Sequence, residues 1–295
     1  MTPTFRSLSM STVTRTVRVD PARGGEYPPE LYKHDGIAPV LSGLDQIDDA
    51  AIASYHEQGY LAVANVYPQQ MVQDATNALS DLIAGRNEKF NNIQLEAGTV
   101  KDGTFDPATM ENLVRRLGTF TSYDDRLKAM LDYQPVRDLL NRLASETMEP
   151  YQEMALLKPP SGREKPWHQD HAYFDIDLSR HIIGIWIALD QATVDNGCMH
   201  LLPGKHRQAF VHFHRRDWQI CDSTTLQIKD FCLAVPLEPG GVLFFDSYLP
   251  HGTPTNHSNQ RRRALQFHYK QVSAANIPPQ ERMAVFGEGG KDVTC

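Results

Sequence analysis

The chain has 295 residues, with 29 Lys or Arg against 36 Asp or Glu and a formal net charge of −7. Binding to nucleic-acid phosphates needs an excess of Lys and Arg, so this balance argues against a nucleic-acid partner. No apolar run approaches the ~20 residues that cross a bilayer, and we expect no membrane partner. The four cysteines form no CxxC pair, which is typical of a protein of the reducing cytoplasm.

The first 45 residues contain several prolines and little periodicity, so we predict an extended lead-in over 1–45. Residues 1–19 carry three arginines and no acidic residue. Organelle transit peptides share this composition, but an irregular chain start explains it more simply. We therefore keep the cytoplasm as the expected compartment.

Residues 46–150 are dominated by helical patterns. Val72, Ala75 and Leu79 form a stripe that is typical of a helix with one apolar face, and Gly85 ends this helix. The predicted elements in chain order are a helix over Asp48–Gln58, a strand over Tyr60–Val66, a helix over Pro68–Ala84, a loop or weak strands over 86–106, and helices over Ala108–Leu117, Asp124–Leu131 and Pro135–Ala144.

From Tyr151 onward the pattern changes to short apolar runs separated by turn residues. Asn196-Gly197, which lies between two such runs, is a strong hairpin signal. The predicted strands are Glu153–Lys158, His181–Leu189, Met199–Leu202, Phe231–Val235, Val242–Phe245 and Ala264–Tyr269.

Many short strands with this spacing favour a sandwich or barrel of the jelly-roll type. We predict an α+β fold with a mainly β core, in which N-terminal helices flank the jelly roll. One domain is expected over 46–275, with a helical layer over 46–150, a strand core over 151–270, and a C-terminal tail over 276–295.

A candidate metal site begins with His168 and Asp170. Residues two apart on a strand project from the same face, so this pair can converge on one ion. His251, which follows an apolar strand, is the best third ligand. Two histidines and one carboxylate form the facial triad of non-haem Fe(II) oxygenases, with sites left for cosubstrate and oxygen. His171 and His200 come without a second well-placed ligand.

A histidine–aspartate pair alone is weak evidence, because 12 histidines produce such pairs by chance on solvated loops. The run Arg261, Arg262 and Arg263 adds to it, since a guanidinium forms two parallel hydrogen bonds with a carboxylate. The competing interpretation is a solvated basic patch. An apolar strand follows, so alternation turns one arginine inward, but parity alone does not select which one.

Several ordered motifs resemble the phytanoyl-CoA dioxygenase family over residues 50–270. They are Lys158-Pro-Pro160, His168-Gln-Asp170, Trp186-Ile-Ala188, Asn196-Gly-Cys198, Leu202-Pro-Gly-Lys-His206, Pro239-Gly240, and His251-Gly252 followed by Arg262.

The resemblance implies a double-stranded β-helix, or jelly roll, in which His168, Asp170 and His251 bind Fe(II). It selects Arg262 as the arginine that pairs with the C5 carboxylate of 2-oxoglutarate. Thr253 resembles a residue whose hydroxyl touches the same carboxylate, with an ordinary loop threonine as the alternative.

Three further residues are candidates for the cosubstrate pocket. The resemblance suggests Trp186 as a pocket aromatic, although core packing explains it equally well. Lys158 and Gln152 precede the metal motif on a strand and are candidate pocket residues. The upstream lysine that some family members use is not placed among Lys89, Lys101 and their neighbours.

These features together predict an enzyme that uses Fe(II), 2-oxoglutarate and O2 to hydroxylate an unactivated C–H bond of a small organic substrate, with succinate and CO2 as co-products. Related halogenases have Gly or Ala in place of the aspartate, so Asp170 favours hydroxylation. The alternatives are a non-catalytic, cupin-like sensor that binds metal or 2-oxoglutarate, and a zinc hydrolase, which would leave Arg262 without a role. The loops 86–106 and 207–230 are predicted to cover the pocket.

Overall fold

The computed structural model describes residues 18–19, 24–96 and 110–287, and the elements below lie within these ranges. The α-helices are α1 (Asp49–Gln58), α2 (Gln69–Ala84), α3 (Asp125–Leu131), α4 (Gln134–Ala144), α5 (Asp222–Ile228) and α6 (Pro279–Phe286). The strands are β1 (Arg18–Val19), β2 (Gly36–Ile37), β3 (Val40–Leu41), β4 (Tyr60–Val63), β5 (Ile93–Leu95), β6 (Val114–Gly118), β7 (Met148–Lys158), β8 (Lys165–His168), β9 (Ile182–Ala188), β10 (Met199–Leu201), β11 (His212–His214), β12 (Trp218–Ile220), β13 (Leu233–Val235), β14 (Val242–Asp246), β15 (His251–Thr253) and β16 (Arg262–Gln271).

Two facing sheets form the jelly-roll core. The major sheet has the strand order β1-β5-β6-β7-β16-β9-β14-β4-β3, and the minor sheet has the order β2-β13-β10-β15-β8. The long pairing of β16 with β7 and β9 is antiparallel. The predicted α+β jelly roll with a mainly β core is therefore confirmed.

Strand alternation gives the major sheet two apolar faces. Ile183, Ile185 and Ile187 of β9 pack with the helices α2 to α4 on the outer face. Trp186 and Ala188 of the same strand pack inward against residues of the minor sheet. The N-terminal helices thus cover one face, and the other face is left for the interior of the jelly roll.

Local capping agrees with the sequence at α1. The Asp48 carboxylate accepts a hydrogen bond from the Ala51 amide at 2.9 Å, and Gly59 ends the helix at φ 81°. A side chain disfavours this left-handed conformation, so glycine is the residue that fits here.

The helix predicted over Ala108–Leu117 is wrong in its described part. Met110–Asn112 form a 3₁₀ turn and Val114–Gly118 form the strand β6. This strand pairs with β5 on one side and β7 on the other. The hydrogen bonds of two neighbouring strands outweigh a local helical preference that is worth only tenths of a kcal/mol per residue.

The segment 207–230 is also more regular than the predicted loop. It contains the hairpin of β11 and β12 and the helix α5. One of its residues, Asp217, lines the central cavity, so part of the segment does lie at the pocket. In the other predicted covering loop, β5 occupies 93–95, and 97–106 lie outside the described residues.

Both ends of the described chain pack on the jelly roll. In the lead-in, β2 pairs with β13 of the minor sheet and β3 pairs with β4 of the major sheet. The Trp167 indole donates to the Leu31 carbonyl at 3.0 Å. At the C-terminal end, Phe286 of α6 is fully buried. Within the described ranges, no helix has the length and apolar character needed to span a membrane.

A close approach on β9 predicts a sensitive position. A methyl group at Gly184 would lie 2.5 Å from Cζ of the buried Phe245 ring, so Gly184→Ala should lower the free energy of unfolding by about 1–3 kcal/mol. Gly36→Ala is the matched control, because its added methyl group would lie 3.4 Å from Leu233 Cδ2, which is an ordinary van der Waals contact. Urea unfolding measures both, and equal stabilities would contradict this account of the packing.

Candidate metal and cosubstrate site

The two histidines of the candidate metal site meet because their strands are paired. His168 ends β8 and His251 begins β15, and the two are register partners in the minor sheet. Strand alternation predicted that Asp170 continues β8. In the structure, Asp170 instead opens the 3₁₀ turn Asp170–Tyr173. The turn brings the carboxylate back toward the histidines, so convergence depends on a bend and not on two positions of one strand.

The three side chains form a compact, buried cluster. Asp170 Oδ1 lies 3.2 Å from His168 Nε2 and 3.6 Å from His251 Nε2. One ligand atom from each residue lies within 4.8 Å of the other two. Ligands about 2.1 Å from a shared ion are separated by about 3 Å when they meet at right angles, so the cluster fits one divalent cation.

Backbone carbonyls orient both imidazole rings. The Nδ1 atoms of His168 and His251 lie 2.7 Å from the Pro166 carbonyl and 2.8 Å from the Leu249 carbonyl. Each Nδ1–H donates to its carbonyl, which leaves the Nε2 lone pair for a metal. Burial, reinforced by the neighbouring His168, lowers the pKa of His251 to about 3, so its ring is neutral at physiological pH.

Two residues that the sequence interpretation missed hold the aspartate. Gln266 Nε2 and His268 Nε2 lie 3.1 Å and 2.7 Å from Asp170 Oδ2. Burial opposes ionisation of Asp170, but the adjacent His268, which contacts Oδ2, holds the pKa of its carboxyl well below the usual range. With Oδ2 occupied, Oδ1 is the oxygen presented to the metal.

The structure resolves which of the three arginines turns inward. Arg262 is buried and lines the cavity. Arg261 and Arg263 point to the other side, where both pair with Glu111. Gln266 and His268 have the parity of Arg262, and this alternation is the signal that could have identified them.

A second buried cation lies beside Arg262. Lys158 of β7 is its register partner, and Lys158 Nζ donates to Thr253 Oγ1 at 2.8 Å and to the Pro254 carbonyl. Burial and the charge of Arg262 lower the pKa of Lys158 well below the ordinary lysine value. Two adjacent buried cations are costly unless an anion joins them.

Unused hydrogen-bond donors provide a test of whether 2-oxoglutarate fits. Among the described residues, Nε and Nη1 of the buried Arg262 have no hydrogen-bond partner. A carboxylate supplies the acceptors that these donors need. Thr253 lines the same cavity, so a dicarboxylic acid that reaches from the metal ligands to Arg262 fits the residues present.

The remaining candidates take different positions. Gln152 lines the cavity, whereas Trp186 lies in the inner core with its ring 5.2 Å below the Arg262 guanidinium. Lys89 is exposed, and Lys101 lies outside the described residues.

One cavity of about 290 Å³ connects the cluster of His168, Asp170 and His251 with the buried Lys158 and Arg262. The residues that line it are Gln94, Arg115, Arg116, Gln152, Met154, Leu156, Leu157, Lys158, Lys165, His168, Asp170, Tyr173, Phe174, Met199, Asp217, His251, Thr253, Arg262 and Gln266. Neither His171 nor His200 is among them.

The fold and the cluster together define the class: a jelly roll with two histidines and one carboxylate is the arrangement of non-haem Fe(II) oxygenases.

Comparison with known proteins identifies the family. The model of the phytanoyl-CoA dioxygenase family matches residues 55–264, and the chain belongs to this family. It is 29% identical over 154 residues to the methylphosphonate hydroxylase of Gimesia maris, covering 51% of this chain and 56% of that protein. It is 26% identical over 235 residues to a probable phytanoyl-CoA dioxygenase of Caenorhabditis elegans, covering 73% and 72%.

A solved structure shares the fold. EvdO2 from Micromonospora carbonacea var. aurantiaca, complexed with 2-oxoglutarate, is 26% identical, with a TM-score of 0.62 over 82% of this chain and 97% of that chain. The chain spans little more than half the length of the methylphosphonate hydroxylase that it matches.

The hydrogen bond between His268 and Asp170 predicts a loss of metal affinity on mutation. Removing a partner that orients a metal ligand typically costs 10–100-fold in affinity, and we expect this loss for His268→Leu. His268→Gln keeps a donor and should lose less. Titration with Co(II), followed by its visible spectrum, measures the affinities. Equal affinity of wild type and His268→Leu would show that the contact does not orient the ligand.

Proposed function

We propose that this protein is an Fe(II)- and 2-oxoglutarate-dependent dioxygenase that hydroxylates an unactivated C–H bond of a small organic substrate. One observation carries the proposal: the buried cluster of His168, Asp170 and His251 opens into the same cavity as the buried Arg262. The first three residues suit iron, and Arg262 suits the far carboxylate of the cosubstrate.

Each residue has a separate task in this proposal. His168, Asp170 and His251 would hold Fe(II) and leave the remaining coordination sites open. Arg262 would fix the distal carboxylate of 2-oxoglutarate, with Thr253 beside it. The bound iron and cosubstrate would supply the oxidation, in which O2 is consumed and 2-oxoglutarate becomes succinate and CO2.

Lys158 and Trp186 would support the cosubstrate end. Lys158 holds the Thr253 hydroxyl, and Trp186 packs beneath the Arg262 guanidinium, so both limit the positions that these groups can take. The neutral state of His251 keeps its lone pair available at physiological pH. Gln152 would line the substrate side of the cavity.

The comparisons favour catalysis over the non-catalytic sensor. Relatives bear the names methylphosphonate hydroxylase, 2-aminoethylphosphonate dioxygenase and phytanoyl-CoA dioxygenase, all of them enzymes. We propose a small organic substrate on the same grounds.

Compartment and domain organisation are proposals of the same kind. In the described part of the chain, Cys198 and Cys232 are buried free thiols, which supports the cytoplasm. The metal ligands and the helical layer pack around one pair of sheets, which supports a single domain over 46–275.

Metal dependence separates the oxygenase from a zinc hydrolase. Protein stripped with a chelator is given Fe(II) or Zn(II), with 2-oxoglutarate and a panel of small acids, alcohols and amines, and succinate is measured. Substrate-dependent succinate with Fe(II) alone is expected. Absence of succinate throughout the panel, together with hydrolysis of a panel compound that Zn(II) restores, would overturn the proposal.

Arg262 should govern cosubstrate affinity. Loss of two charge-assisted hydrogen bonds in Arg262→Leu should raise the dissociation constant of 2-oxoglutarate at least about 100-fold, measured by calorimetry with Zn(II) in place of iron. Arg262→Lys keeps the charge but not the paired donors, and an intermediate value is expected.

Arg261→Gln is the matched control, because Arg261 lies on the opposite face beside Glu111. The affinity of Arg261→Gln for 2-oxoglutarate should stay within about twofold of the wild-type value. If both substitutions weakened binding equally, Arg262 would have no special role.

A further inference from the structure

The lead-in segment from Tyr27 to Tyr32, which we call the strap, lies on the outer face of the minor sheet. The Tyr32 ring stacks on Trp167 of β8 with 5.7 Å between the ring centroids, and the Trp167 indole donates to the Leu31 carbonyl. Trp167 alternates with His168 along this strand, so the two side chains point to opposite faces. The strap therefore lies directly behind the strand that carries His168.

Tyr32 holds β8 at the residue that pairs with Thr253. Its hydroxyl lies 2.9 Å from Glu164 Oε2 and 3.1 Å from the Lys165 carbonyl oxygen, both of which are acceptors. Lys165 is the register partner of Thr253 in β15. A methyl group at Gly252 would lie 3.2 Å from the Tyr32 hydroxyl oxygen, so glycine permits this close approach. The strap thus covers both strands at the end of the cavity that Thr253 lines.

Tyr27 holds the chain just after β15. This strand ends at Thr253, and its pairing with β8 shifts register between His251 and Thr253. Two residues further on, the Thr255 amide donates to the Tyr27 hydroxyl at 2.9 Å, and the hydroxyl donates to Thr255 Oγ1 at 3.2 Å. One phenol therefore satisfies backbone and side chain at the point where the strand pairing stops.

Lys158 holds the same segment from inside the cavity. Its ammonium donates to Thr253 Oγ1 at 2.8 Å and to the Pro254 carbonyl. Lys158 is also the register partner of Arg262. A shift of the segment that Tyr27 holds would therefore move the Thr253 hydroxyl and change the position of Lys158 beside Arg262.

A buried ion-pair network fixes the position of the Tyr27 ring. The guanidinium carbon of Arg216, in the turn between β11 and β12, lies 5.7 Å from the Tyr27 ring centroid. This guanidinium pairs with Glu164 and Asp222. The Tyr32 ring packs edge-on against Tyr27 with 5.0 Å between the centroids. The Tyr27 hydroxyl is thus held in one place before any ligand binds, which is the requirement for a positioning group.

We propose that Tyr27 is a positioning residue for 2-oxoglutarate, which acts through Thr253 and Lys158 at the cosubstrate end of the cavity. The inference rests on the proposed function, because it concerns how the carboxylate beside Arg262 is bound. Tyr27 does not line the cavity, so its effect on the cosubstrate passes through the segment that follows β15.

The metal ligands are oriented by other groups. His168 and His251 pair with each other before the register shift, and their Nδ1 atoms bond to the carbonyls of Pro166 and Leu249. A loss of cosubstrate affinity at constant metal affinity is therefore the signature of a positioning role for Tyr27. A general loosening of the fold would lower both affinities.

Calorimetry of the Zn(II)-loaded full chain with 2-oxoglutarate tests the contact. Tyr27→Phe keeps the ring and removes the hydroxyl, and we expect the dissociation constant of 2-oxoglutarate to rise about 3- to 10-fold. Titration with Co(II) should give a metal affinity within about twofold of wild type. Tyr67→Phe is the matched control, because it removes a buried hydroxyl that donates to the Met130 carbonyl at 2.9 Å on the helical side, and its 2-oxoglutarate affinity should not change.

Thr255→Val tests the same contact from the other side. It removes the Oγ1 acceptor but keeps the Thr255 amide, so its effect should be smaller than that of Tyr27→Phe. The double variant should bind 2-oxoglutarate no more weakly than Tyr27→Phe alone, because the shared hydroxyl is already absent. Melting temperatures verify that each variant is folded.

Four results would overturn the inference: wild-type affinity for 2-oxoglutarate in Tyr27→Phe, an equal loss in Tyr67→Phe, a parallel loss of Co(II) affinity in Tyr27→Phe, or additive losses in the double variant. With normal 2-oxoglutarate binding by wild type, each of them contradicts the positioning role alone. Failure of wild type to bind 2-oxoglutarate contradicts the proposed function and, with it, this inference.

Discussion

The site depends on the antiparallel pairing of β16 with β7 and β9. This pairing sets the parity of β16, so Arg262, Gln266 and His268 must share the inner face while Leu265 and Phe267 face the helices. A slip of one residue would exchange the two sets and bury the guanidinium among apolar side chains. The large apolar contact with the helices therefore also holds the polar groups of the site in place.

Burial makes the site electrostatically incomplete by itself. Arg262, Lys158 and Asp170 are all at most 5% exposed, and isolated buried charges are costly. Asp170 is hydrogen-bonded by Gln266 and lies 2.7 Å from His268 Nε2, whereas the two cations lie beside each other. A dicarboxylic cosubstrate would supply an anion to the two cations, and a ligand that binds only the folded protein stabilises it by linkage. The pairing of β16 with β7 thus places Lys158 and Arg262 side by side and creates this electrostatic cost.

The sequence predicted the jelly roll, the family and the three residues that the fold brings together as a candidate metal site, because these depend on strand spacing and ordered motifs. It did not predict how Asp170 reaches the cluster, since a 3₁₀ turn after β8 leaves no periodic signal. It misassigned β6 as a helix, because that strand is held by its neighbours in the sheet. His268 was missed although its parity matched that of Arg262, since only the register with β7 shows which parity faces the metal.

Joint binding of Fe(II) and 2-oxoglutarate at the cluster of His168, Asp170 and His251 is the most direct test of the site. Anaerobic addition of both to the apoprotein should produce a visible metal-to-ligand charge-transfer band in wild type and no band in His168→Ala. A wild-type protein without this band, or a band that survives in His168→Ala, would contradict the assignment of the site.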